Sequence, residues 1–195
     1  MPATKRLGAP PPGPGVVPVA ACAAAGTALA TLVVLTRGWG AWLPPALMLA
    51  AIAPYLAYID WTRQLLPNRV LGPAYAVAMA ALIVAGAAEG PLFALVRAVT
   101  TSVIALIGAL VVSVATSGIG GGDVKLIGLI TLSLGPNSWT APGLAILYGF
   151  LFAAATTVVH ALAARLRQRP RPATIPLGPY LLTGALTIAL GCGAG

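Results

Sequence analysis

The chain has 195 residues, of which 59% are hydrophobic and 7% charged, with a formal net charge of +8. A soluble domain carries about 25% charged residues, so this composition excludes a water-soluble globule and leaves a polytopic helical membrane protein. The basic excess is no nucleic-acid footprint, because the lysines and arginines sit in short stretches between apolar runs, where they act as topology signals.

In chain order, residues 1–15 combine Lys5 and Arg6 with a Pro/Gly-rich stretch and are expected to form a disordered cytoplasmic tail ahead of a transmembrane domain spanning 16–195. Val19-Ala20-Ala21-Cys22 looks like a lipoprotein cleavage site. The apolar run continues past it, however, where a cleaved product turns polar. Seven apolar runs follow, at residues 16–35, 42–59, 71–88, 91–116, 124–135, 141–164 and 175–192. A spanning helix needs about 20 residues, so about seven spans are expected, the fifth being short. The fold class is therefore all-α, a transmembrane helical bundle.

Placing the N-terminus in the cytoplasm puts Lys5, Arg6, Arg63, Arg69, Lys125, Arg165, Arg167, Arg169 and Arg171 inside, and only Arg37 and Arg97 outside. That is the sense of the positive-inside rule. Trp39, Trp42 and Trp139 then fall at the outer interface and Trp61 at the inner one, as belt residues do. Cys22 and Cys192 lie in separate apolar runs and read as structural; with no CxxC pair, neither a metal nor a cofactor is expected. His160, the only histidine, reads as an interfacial or packed residue.

The chain has three acidic residues, Asp60, Glu89 and Asp123. An ionisable group in or beside lipid is a functional candidate by default. Glu89, beside Gly90 and Pro91, reads as a solvated turn residue. Asp60 ends the second run and Asp123 begins the fifth. With two spans between them, both reach the same cytoplasmic edge. Two close carboxylates do not both ionise readily, so they share a proton. Such a pair suits hydrolysis, in which the ionised acid deprotonates water and the protonated one polarises the scissile carbonyl. Helix dipoles suggest the division of labour. A helix C-terminus disfavours negative charge and an N-terminus favours it, which makes Asp60 the acid and Asp123 the base.

The flanking residues have their own physics. Gly120, Gly121 and Gly122 let an extended backbone approach Asp123. Pro67 breaks the second helix, so that a bend sets Asp60, and Asn68 is positioned to cap the third. Lys125, two residues from Asp123, points away from it on a helix and is expected to meet phospholipid headgroups or anchor the span.

Asp60 is followed by Leu66-Pro67-Asn68, and Gly120-Gly121-Gly122-Asp123-Val124-Lys125 carries the second acid. These segments resemble the type IV prepilin peptidases, GxGD-type membrane aspartic proteases. In that family an Asp precedes Ile-Pro-Asn and a Gly-x-Gly-Asp-x-Lys element carries the second Asp. Leu66 replaces Ile here. Ile175-Pro176-Leu177-Gly178-Pro179 is similar to the family's Ile-Pro-x-Gly-Pro element before its last span. The resemblance runs from Trp42 to Gly195. It implies Asp60 and Asp123 as the catalytic pair and a pilin-like precursor as substrate. That precursor would be cut after its basic leader at the cytoplasmic face of a bacterial inner membrane, with lipids around the enzyme and no nucleic acid. Bifunctional members carry a four-cysteine zinc site in a methyltransferase region. The two cysteines here do not supply one, so proteolysis without N-methylation is expected. The rivals are a small ion- or proton-coupled transporter using the same acids, and an inactive assembly partner.

Overall fold

The computed structural model describes residues 16–64, 66–89, 92–116, 119–166 and 176–191. The tail expected at 1–15, Cys192, and the basic residues Arg167, Arg169 and Arg171 lie outside them, as does the side chain of Glu89. The described residues form seven α-helices: α1 (Val16–Arg37), α2 (Pro44–Arg63), α3 (Asn68–Glu89), α4 (Leu92–Thr116), α5 (Gly121–Leu134), α6 (Thr140–Leu166) and α7 (Gly178–Gly191). Every expected apolar run corresponds to one helix. Four of them, α1, α3, α4 and α6, are long and apolar enough to cross a membrane, and the molecule is a helical membrane bundle. The other three are not of that class. α5 and α7 have 14 residues each, or about 21 Å of helix, and α2 is the least apolar of the seven.

α5 is the centre of the bundle and touches α2, α3, α4, α6 and α7. Every residue from Leu126 to Leu134 is buried. A helix this enclosed does not need the length of a lipid-facing span, because protein rather than hydrocarbon meets its backbone ends. Lipid tails offer no hydrophobic gain for helix association, so packing relies on small residues and interhelical hydrogen bonds. Gly26 of α1 lies against the backbone of Ala51 in α2, and Gly184 of α7 against Ala145 and Gly149 of α6. Ser102 of α4 donates to the carbonyl of Gly128 at 2.9 Å, joining α4 to α5.

The joint between α2 and α3 differs from the expected one. α2 is not broken by Pro67. It stops at Gln64, the only non-glycine residue with positive φ among those described. Its left-handed backbone (φ 49°, ψ 33°) turns its N–H back to the carbonyl of Asp60, a helix-terminating turn. Asp60 is therefore set within the last turn of a continuous helix and not by a bend. Pro67 instead opens α3, its carbonyl accepting from the N–H groups of Val70 and Leu71 at 3.0 and 3.2 Å.

Candidate active site

One end of the bundle collects the last turn of α2 and the first turns of α3, α5 and α7. Asp60 lies in the last turn of α2 and Asp123 in the first turn of α5, so both are at this end. Asp60 is buried, at 5% exposure, and Asp123 is half-buried.

Asp123 is held by its own helix. Gly120 is the N-cap of α5, in extended conformation (φ −68°, ψ 148°), which makes Asp123 the third helical residue. Its carboxylate lies over Gly120, in the position of the acidic member of a capping box. A Cβ on Gly120 would lie 3.3 Å from Asp123 Oδ2. The three glycines are not equivalent. A Cβ on Gly121 would meet open space, whereas one on Gly122 would lie 3.0 Å from Leu66 Cβ and 3.4 Å from its backbone N. Gly122 is thus where the Gly-rich turn rests against the Leu-Pro-Asn segment, and the two acid-bearing segments touch at that point.

Asp60 is held by another helix. The backbone N–H of Gly178, first residue of α7, donates to Asp60 Oδ2 at 2.9 Å in a buried contact. This partner lies 118 residues away. The sequence singled out the segment containing Gly178 but gave no sign that it meets an acid. The contact also removes the helix-dipole distinction between the two carboxylates. Asp60 is near the C-terminus of α2, yet its carboxylate accepts the N–H of Gly178 at the start of α7, and Asp123 stands in the first turn of α5, so each acid meets a helix N-terminus. Helix ends no longer assign the shared proton to Asp60.

Asn68 takes a role other than the expected cap, and it pairs with Lys125. Asn68 is the first residue of α3, and its Oδ1 accepts from Lys125 Nζ at 2.8 Å. The carbonyl of Lys125 also accepts from Tyr75 Oη at 2.7 Å. The two residues form a clasp joining the first turns of α3 and α5, in which the Asn68 side chain serves Lys125 and not as a helix cap. His160 is exposed and bonds only its own helix, Nδ1 to the carbonyl of Thr156. Cys22 is a free thiol, its Sγ 3.7 Å from the carbonyl of Pro54. Among the described residues no three His, Cys, Asp or Glu side chains gather as metal ligands.

In comparison with known proteins, residues 47–162 fit the model of the type IV leader peptidase family. No curated protein and no solved structure matches. The matched segment contains both acids, the Gly-rich turn, Pro67, Asn68 and Lys125, and ends before Gly178.

Proposed function

This chain belongs to the type IV leader peptidase family, and from that membership we propose that it is a membrane aspartic endopeptidase that removes the leader of prepilin-like precursors at the cytoplasmic face, without N-methylation. The observation that supports the aspartic reading is the convergence of Asp60 and Asp123, from helices far apart in sequence, at one end of the bundle. Asp60 is held by the backbone N–H of Gly178 at the start of α7, and Asp123 lies in the first turn of α5.

In this reading the two carboxylates share one proton and hold a water between them. The ionised carboxylate takes a proton from the water as its oxygen adds to the scissile carbonyl carbon. The protonated carboxylate gives its proton to the carbonyl oxygen. In the collapse of the resulting gem-diol the C–N bond breaks, the leaving amine takes up the proton that came from water, and one hydroxyl returns its proton to the carboxylate that had given one, which restores the shared proton. The acids would act as a coupled pair. The substrate chemistry fits the membrane edge: a basic leader stays in water, and the apolar helix behind it enters lipid, which places the scissile bond beside the acids. The distribution of Lys and Arg supports placing this end on the cytoplasmic side, and the family reading makes a bacterial inner membrane the proposed location.

The test is cleavage of a co-expressed pilin-like precursor in membranes, with processing read by the mobility shift and by N-terminal sequencing. Cleavage after the basic leader supports the reading. An intact precursor beside correctly inserted protein, over a panel of such precursors, contradicts it.

A further inference from the structure

The first turn of α7 lies beyond the family match, yet it supplies the buried hydrogen-bond donor to Asp60. Its local construction leaves one N–H for that purpose. The N–H groups of Tyr180 and Leu181 both return to the carbonyl of Leu177, each at 3.1 Å. Pro179 has no N–H. The Gly178 N–H is therefore the donor of this turn that remains for a partner outside the helix, and that partner is Asp60 Oδ2.

The approach is also sterically exclusive. A Cβ on Gly178 would lie 2.6 Å from Asp60 Oδ2, 3.0 Å from its Cγ and 3.3 Å from its Cβ. All three nearest atoms belong to the one carboxylate-bearing side chain, so any residue larger than glycine displaces the acid or the helix. The backbone itself does not require glycine here, since Gly178 is not among the positive-φ residues. The need for glycine arises from contact with Asp60.

We propose that Gly178 is a positioning residue for the peptidase reaction: its N–H fixes one oxygen of Asp60, and its missing side chain lets α7 close on that carboxylate. The proposal rests on Asp60 being one of the two catalytic acids. With Oδ2 fixed by α7, rotation of the carboxylate is suppressed, and Oδ1 is left for the proton and water shared with Asp123. Well-oriented reacting groups account for a large part of enzymatic rate, and a misplacement of about 1 Å costs on the order of a hundredfold. α7 thus takes part in the chemistry through Asp60 without touching substrate.

The experiment compares the full-length native chain with Gly178→Ala, with Gly191→Ala as a control on the same helix, where an added Cβ meets open space. Purified protein cleaves a pilin-like precursor in detergent micelles, and thermal unfolding is followed in the same micelles. Gly178→Ala is expected to lower kcat at least about tenfold with KM within about twofold, the pattern of a lost transition-state arrangement, while Gly191→Ala behaves as native. Unfolding is then measured for Gly178→Ala in the native and in the Asp60→Ala background. The proposal expects the substitution to lower the melting temperature in the first and to be nearly neutral in the second, because the clash is with the Asp60 side chain. An unchanged kcat, or a loss of melting temperature equal in both backgrounds, overturns it. If the native chain cleaves no precursor, the peptidase reading fails instead. The unfolding cycle still decides whether Gly178 and Asp60 are coupled.

Discussion

The Gly-rich turn before Asp123 separates what glycine does there into different jobs. Gly122 is small because Leu66 presses on it, Gly120 because the carboxylate of Asp123 folds over it, and Gly121 faces open space. Gly121→Ala should therefore retain cleavage within about twofold, while Gly122→Ala should lose at least about tenfold by pushing the Leu66 segment off the turn. Precursor processing measured for both variants checks this, and equal activity of the two would contradict the contact. The acids themselves were legible in the sequence, because carboxylates are scarce in an apolar chain and cost energy in lipid. Their partners were not. The Gly178 contact spans 118 residues, and Gln64 ends α2 in a left-handed conformation for which Gln carries no signal. A different residue-scale consequence concerns Ser133 of α5. Its hydroxyl is fully buried and has no hydrogen-bond partner among the described residues. An unsatisfied buried hydroxyl costs about 1–3 kcal/mol. Ser133→Ala should raise the unfolding temperature in micelles; a lower temperature would mean that the hydroxyl has found a partner.

Two elements, α5 and α7, have 14 described helical residues each, about 21 Å of helix, and carbonyls at their C-terminal ends accept from neighbouring helices. Two arginines on longer helices meet them. Arg97 of α4 donates through Nε to the carbonyl of Gly135 at 2.9 Å and through a second guanidinium nitrogen to that of Pro136. It also stacks over Phe93 at 5.7 Å. Arg37, last residue of α1, donates to the carbonyls of Ala189 and Ile188 at 2.6 and 3.4 Å. These are the two basic residues that the charge count puts on the outer side. Their presence against the positive-inside bias is explained by capping, since cations suit helix C-termini. Hydrogen bonds to a charged group contribute about 1.5–3 kcal/mol, so Arg97→Ala should destabilise by about that amount in micellar unfolding. Arg97→Lys should recover only part, because an ammonium cannot reproduce the planar fork and the ring stacking. Full recovery with lysine would reduce the role of Arg97 to its charge. At the other end, Asn68 and Lys125 join α3 to α5. The sequence placed both residues near the acids but not against each other, since register between separate helices is set by packing that no local pattern records.

For the molecule as a whole, the seven helices were readable as apolar runs, and the crowding around α5 was not. Hydropathy reports which segments leave water; it does not say which of them lies in the middle. The short fifth run did hint at it, because a helix too short to span is tolerated where protein surrounds it. The interfacial tryptophans divide in the same way. Trp39, Trp61 and Trp139 are exposed, as belt residues are, whereas Trp42 packs against the core and approaches Gly86 of α3. Orientation is open to a direct test. In a background with Cys22→Ala and Cys192→Ala, Trp39→Cys should react with a membrane-impermeant thiol reagent in intact cells. Trp61→Cys should react only after permeabilisation, and the reverse pattern would invert the bundle. Above all, the molecule is read as a bundle that brings two acids from distant helices to one membrane edge for peptide hydrolysis. The direct test is precursor cleavage by the native chain, Asp60→Asn and Asp123→Asn in membranes, with insertion of each verified. Cleavage by the native chain and its loss in both variants is the predicted result. Cleavage that persists in either variant would contradict the pair.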